Sequence, residues 1–217
     1  MMDIDAVLFD VDGTLINSDD VDADHWERRI TRFYRDEEDA ARAARRIVMA
    51  KETPGNAVFT LMDSVGLDSL AVRLALRLQG SGDIAATPAV PGAVDAVARV
   101  AAHLPIATVT TRSEAEQAAV LGALGLKQYF SAFVGRDTVW RLKPHPMPVQ
   151  AAASRLGVDP ARCLMIGDTT VDVRAGQRAG AKTIAVLSGY GTRRELERVG
   201  PDLILDSIAQ LTEVLFG

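Results

Sequence analysis

Asp10 and Asp12 stand one residue apart in LFDVDGTL, at the end of the apolar run Ala6–Phe9, with Gly13 and Thr14 directly after them. Asp168 and Asp172 lie in GDTTVD, which continues a second apolar run, CLMIG (Cys163–Gly167). Thr110-Thr111-Arg112 follows a third run that begins at Pro105, and Lys143 sits in RLKPHP. Four segments thus supply carboxylates, hydroxyls and one lysine. Clustered carboxylates repel one another, and a hard cation such as Mg²⁺ is their natural partner. A lysine beside them suits a phosphoryl group, and threonine hydroxyls and loop amides suit its oxygens. One carboxylate can then attack phosphorus to form an aspartyl-phosphate, while a second protonates the leaving oxygen and later activates water. Asp12 is placed for the proton-handling role, because the turn at Gly13 swings it out of the strand line.

For this chemistry to assemble, the four segments must meet at one edge. The runs Ala6–Phe9, Pro105–Thr110, Ala132–Gly135, Cys163–Gly167, Thr183–Leu187 and Leu203–Leu205 are apolar at consecutive positions, as strands buried on both faces are. Helical patterns lie between most of them, at Ala93–His103, Glu114–Leu124, Pro148–Leu156 and Val171–Ala179. Strand alternating with helix predicts an α/β fold with a parallel sheet and right-handed crossovers. Ligands of such sheets bind outside the carboxyl ends of the strands, where all four segments fall.

One region breaks the alternation. From 16 to 87 no strand pattern appears; Asp24–Lys51 reads as a long helix, with Trp26, Ile30 and Phe33 at helical spacing, and Ala57–Val65 and Leu70–Leu78 read as shorter ones. The expected organisation is therefore a catalytic core of 1–15 and 88–217, with a helical cap of 16–87 inserted after the first strand. Arg42, Arg45 and Arg46, after the acidic run Asp36–Asp39, read as charge pairs on helix faces.

The bulk properties narrow the classes. A 217-residue chain with 48% hydrophobic and 24% charged residues fits a soluble globular protein. A net charge of −5 argues against nucleic acid as a partner. A single cysteine, Cys163, precludes an internal disulfide framework and reads as an inert buried side chain. The three histidines, His25, His103 and His145, lack metal-ligand spacing. No secretory leader pattern opens the chain, and no run approaches the ~20 apolar residues of a membrane span. The expectation is a cytoplasmic protein without membrane partners, as a monomer or homodimer.

The motifs resemble those of the haloacid dehalogenase superfamily. DVDGT resembles its first motif, TTR its second, the lysine of KPHP its third and GDTTVD its fourth; PGAVDAV, LGLKQYFSAFVG, IGDTTVDVRAGQRAGAKTIAVLSGYG and PDLILDSIAQL are similar to the phosphoglycolate phosphatase branch. The resemblance implies a Rossmann-like core with an all-α cap, and a Mg²⁺-dependent hydrolase of a small phosphorylated metabolite. Carried over residue by residue, it implies that Asp10 is the nucleophile and a metal ligand. Asp12 becomes the general acid/base, with its backbone carbonyl on the metal. Asp168 ligates Mg²⁺ directly, and Asp172 acts through water or orients Lys143. Thr110 binds the phosphoryl group through its hydroxyl and Thr111 through its amide, while Lys143 bridges that group and Asp10. Arg112 stands where the motif commonly carries lysine, and is read either as a substrate contact or as a surface ion pair. A phosphosugar mutase shares the same core motifs. A dehalogenase is disfavoured by Asp12, and a non-catalytic binding protein by the complete set.

Overall fold

The computed structural model describes residues 3–17 and 87–217. The predicted helices between Asp24 and Leu78 lie outside the described residues, and with them Lys51 and Asn56.

Six strands form one parallel sheet: β1 (Ala6–Phe9), β2 (Ile106–Val109), β3 (Ala132–Val134), β4 (Cys163–Gly167), β5 (Lys182–Val186) and β6 (Leu203–Leu205). Their order is β3-β2-β1-β4-β5-β6, and every neighbouring pair is parallel. Among the described residues six α-helices accompany them: α1 (Ala93–Ala101), α2 (Glu114–Ala123), α3 (Met147–Leu156), α4 (Thr170–Ala179), α5 (Arg193–Val199) and α6 (Leu211–Phe216). All six expected strands and four expected helices are present, with ends shifted by a residue or two.

The consecutive apolar runs follow from burial on both faces. Successive side chains of a strand point to opposite sides, and β1 divides accordingly. Val7 and Phe9 join Leu164 and Ile166 of β4 in one core with α1 and α6, whereas Ala6 and Leu8 join Cys163 and Met165 in a second core with α3. The register Val7↔Leu164 and Phe9↔Ile166 keeps like faces together. The second core is built from smaller residues, including Ala107, Ala152, Ala153 and Ala175, which lets its helices approach closely. Gly176 of α4 marks the tightest approach, since a Cβ there would lie 2.6 Å from Thr183 Cγ2 and 3.0 Å from Met165 Cβ. Cys163 is fully buried and its thiol is pushed up to about 11, first by burial and then by Asp159 and Asp5, which makes it an inert small hydrophobe.

Two features govern the site. The chain runs from β1 outward to β2 and β3, then returns to place β4 on the other side of β1; the boundary between β1 and β4 is the topological switch point, at whose carboxyl ends sheets of this kind bind their ligands. Beyond β1 the chain also leaves and re-enters the core at one place. Asn17 N–H donates to the Pro88 carbonyl at 2.8 Å, Val90 N–H donates to Leu15 O at 2.9 Å, and Ile16 forms an antiparallel bridge with Ala89.

Ile166→Ala, in the middle of the sheet, is expected to lower stability by about 2–5 kcal/mol through the cavity it leaves. Gly176→Ala is expected to cost about 1–3 kcal/mol by overpacking α4 against β4 and β5. Urea unfolding midpoints measured by circular dichroism test both.

Candidate active site

Asp10 follows the last residue of β1 and remains in the ladder, its N–H donating to Ile166 O of β4 at 2.8 Å. The carboxylate therefore leaves a rigid strand end and lies buried. Gly13, at φ 72°, then turns the chain, and its N–H donates to Ile16 O at 2.9 Å. Only glycine adopts that conformation without cost, and here it also lacks room for a side chain: a Cβ would lie 2.5 Å from Asp168 Oδ2.

Lys143 comes from the loop between β3 and α3. Its ammonium donates to Asp10 Oδ1 at 2.7 Å, to Asp172 Oδ1 at 2.5 Å and to the Val109 carbonyl at 2.9 Å. Asp172 lies in the first turn of α4, where its Oδ2 accepts from Thr169 N–H at 3.0 Å and from the Thr169 hydroxyl. This reciprocal cap ties the helix start to the lysine. Asp168, directly after β4, accepts from Tyr190 N–H at 2.8 Å through Oδ2 and from the Thr14 hydroxyl at 3.3 Å through Oδ1.

Asp10, Asp168 and Asp172 are all buried and present carboxylate oxygens within 4.8 Å of one another. Among these groups three buried carboxylates face one ammonium. Burial is the largest influence on Asp10 and pushes its carboxyl up to about 7; Lys143 opposes this, while Asp172 and Asp12 add to it. Burial works against the charge of Lys143, but Asp10 and Asp172 hold its affinity for a proton above the ordinary value. An all-oxygen, anionic, buried donor set of this kind fits a hard divalent cation.

Asp12 points elsewhere. Arg112 embraces its carboxylate with a fork: Nη2 donates to Oδ1 at 2.6 Å and Nε donates to Oδ2 at 2.8 Å. Both side chains are about three-quarters or more buried, at 26% and 19% exposure. Of the two readings of Arg112, the ion pair is the one the described residues display, and its partner is the second aspartate of the site. Burial opposes the guanidinium's charge, yet Asp12, with Glu116 and Asp10, raises its proton affinity. The hydroxyl of Thr110, a buried residue, accepts from Arg112 N–H at 3.3 Å. Thr111 is exposed, and its carbonyl accepts from Arg136 at 3.2 Å.

The segment carrying Arg112 is anchored by groups that the sequence reading did not single out. Gln117, fully buried on α2, accepts from the Thr108 hydroxyl and donates to Arg112 O at 3.1 Å. Its signal was a polar residue on the apolar stripe of α2, beside Val120 and Leu121. Thr14, Thr169 and Ser188 were also passed over; the first two lie inside the motifs that supply the aspartates.

Comparison with known proteins identifies the family. A family model described as haloacid dehalogenase-like hydrolase matches residues 4–180. The chain belongs to the haloacid dehalogenase-like hydrolases. It is 36% identical over 115 residues to a phosphoglycolate phosphatase of Neisseria meningitidis, an overlap of 52% of this chain and 49% of that one. It is 35% identical over 112 residues to the phosphoglycolate phosphatase of Escherichia coli K12, covering 52% and 44%. The chain thus spans about half the length of the curated relatives it matches. Among solved structures, a family hydrolase of Deinococcus radiodurans R1 with bound phosphate and sodium superimposes with a TM-score of 0.72 at 25% identity, covering 98% of this chain and 95% of that one. A putative β-phosphoglucomutase of Thermotoga maritima shares the fold, with a TM-score of 0.70 at 24% identity and 98% coverage of both chains. Among the described residues no helix is long and apolar enough to cross a membrane.

Glu116 caps α2 directly after Arg112, accepting from Ser113 N–H at 2.7 Å and pairing with Arg136. Burial raises its carboxyl, but Arg136 and Ser113 outweigh it and bring it down to about 2 from 4.5. A carboxyl held lower in the folded chain stabilises it above the unfolded value, and loses that contribution as pH falls from about 4.5 toward 2. Glu116→Gln is therefore expected to cost less than about 1 kcal/mol at pH 7, given solvent screening. The gap from wild type should close as pH falls below about 4.5, in urea melts across pH.

Proposed function

We propose that this hydrolase is a Mg²⁺-dependent phosphatase of small phosphorylated metabolites, working through an aspartyl-phosphate on Asp10. The observation that carries the reading is the single buried cluster in which Lys143 bridges Asp10 and Asp172 while Asp168 lies within ligand distance of both. Asp10, Asp168 and Asp172 are the side chains that would hold the ion, with the Asp12 backbone carbonyl as a further oxygen. When bound, Mg²⁺ supplies charge neutralisation for the phosphoryl oxygens and the crowded carboxylates.

The chain's own groups do the rest. An Asp10 carboxylate oxygen attacks phosphorus, and the bond from phosphorus to the leaving oxygen breaks. Asp12 delivers a proton to that oxygen. Water then attacks the aspartyl-phosphate, Asp12 takes its proton, and phosphate leaves as the Asp10 carboxylate is regenerated. Lys143 neutralises charge beside the nucleophile throughout, and Thr110 and Thr111 are assigned to the phosphoryl oxygens. Asp12 must turn away from Arg112 to reach the leaving oxygen, so Arg112 is assigned as the group that parks it between turnovers.

The relatives named phosphoglycolate phosphatase, and a site buried at the strand ends, support the substrate class. The segment between Asn17 and Thr87 is assigned as the cap that selects the metabolite, because the core clamps its two ends together a few residues beyond Asp10 and Thr14.

Phosphate release from a panel including phosphoglycolate, hexose phosphates and nucleoside monophosphates tests the reading. Wild type should release phosphate with Mg²⁺ and lose activity in EDTA. Asp10→Asn should fold and lose activity by at least about 10³-fold. Full activity in chelator, or normal turnover by Asp10→Asn, would overturn the mechanism; sugar-phosphate interconversion without release would make the protein a mutase. Arg112→Ala is expected to lower kcat about tenfold or more with a smaller change in KM, and equal losses in both would return Arg112 to substrate binding.

A further inference from the structure

We propose that the loop Ser188–Gly191, after β5, is a positioning element for the metal ligand Asp168. It straps the turn after β1 to the end of β5 across the top of β4 and locks the Asp168 carboxylate beneath. The proposal rests on the cation reading of the Asp10–Asp168–Asp172 cluster.

Strand order gives the strap its span. β4 lies between β1 and β5, so the loops after β1 and β5 have no ladder in common. Ser188 closes that distance, its hydroxyl donating to the Gly13 carbonyl at 2.8 Å. The next two residues face the carboxylate at the end of β4. Tyr190 N–H donates to Asp168 Oδ2, while Thr14, on the other side of the strap, donates to Oδ1. One donor to each oxygen fixes the plane of the carboxylate.

The walls are equally specific. A Cβ on Gly189 would overlap Asp168 Oδ2 and lie 2.7 Å from Gly13 Cα. A Cβ on Gly191 would overlap the Asp168 carbonyl oxygen. Together with Gly13, three glycines from two loops thus press bare main chain against one residue. The glycines of SGYG are accounted for by this approach and not by turn conformation, since neither Gly189 nor Gly191 has positive φ.

Such enclosure matters to a small hard cation. Mg²⁺ demands near-ideal geometry at short distance, so a ligand free to wander weakens binding. Groups that orient a metal ligand contribute about 10- to 100-fold in affinity when removed singly. The Ser188 hydroxyl donates to main chain at Gly13, and its effect passes through Gly13 and the position of the loop.

The test is Mg²⁺ binding to the full chain, stripped with EDTA, followed by isothermal titration calorimetry and by the Mg²⁺-induced rise in Tm. Ser188→Ala is expected to weaken Mg²⁺ about tenfold and Gly189→Ala about a hundredfold. Ser188→Thr, which keeps the hydroxyl, should restore affinity close to wild type. The metal-free Tm of Ser188→Ala should stay near wild type, which separates a metal-positioning role from a general packing one. Should Gly189→Ala fail to fold, the serine pair decides. Wild-type Mg²⁺ affinity in folded Ser188→Ala, or equal losses in Ser188→Ala and Ser188→Thr, would overturn the proposal. A wild-type chain that binds no Mg²⁺ would overturn the metal reading, and this proposal with it.

Discussion

Three buried carboxylates and one buried ammonium at the end of an apolar sheet set the constraint that everything else in the core serves. In water the four groups would repel, attract and drift at little energetic consequence. In a dry crevice each uncompensated charge is costly, and the pair of Lys143 with Asp10 and Asp172 persists only because geometry supplies hydrogen bonds from several directions at once. Lys143 cannot neutralise three aspartates. Its position between two of them leaves the cluster with more carboxylates than ammonium groups, an excess that a hard divalent cation would offset.

That imbalance explains the architecture around it. A parallel sheet buried on both faces gives strand ends that scarcely move, and the reversal of strand order between β1 and β4 brings Asp10 and Asp168 side by side without any loop having to fold inward. Helix α4 adds Asp172 from its first turn, fixed by Thr169, so the third carboxylate inherits the rigidity of a helix start. Gly167, at the end of β4, has no side chain because a Cβ there would overlap Asp172. Small residues at the rim of the sheet are thus the steric counterpart of the charged ones.

Much of this was legible in the residues, for a reason that also marks the limit. The strands were readable because burial on both faces writes itself as consecutive apolar residues; Asp10, Asp168 and Asp172 because carboxylates at or just beyond the ends of such runs are conspicuous; and Lys143 from its loop motif RLKPHP. Helices α5 and α6 escaped notice although Thr192 with Glu195, and Ser207 with Gln210, form capping boxes at or just before their starts; RRELERV offers too little apolar surface to show periodicity. The partner of Arg112 was not legible, since Asp12 lies 100 residues away in the chain. Ser188 is 175 residues from Gly13, and its role exists only once β4 is inserted between β1 and β5. Chemistry-bearing types announce themselves locally, whereas the groups that hold them still are defined by topology.

The two kinds of support differ in a way that suits the two jobs. Asp168 is held by donors from different loops and by glycine main chain packed against it, an arrangement with no soft degree of freedom. Asp12 is held by one long, partly exposed side chain, whose fork can be released by the rotation of a few single bonds. A metal ligand gains from immobility, because every ångström of drift weakens a small ion's coordination. A proton carrier must visit a leaving oxygen, then a water, then neither, and a site built wholly from rigid contacts would deny it that movement. Under the proposed mechanism, the division between glycine-walled Asp168 and arginine-tethered Asp12 separates what must stay from what must move, within residues that lie at the ends of adjacent strands.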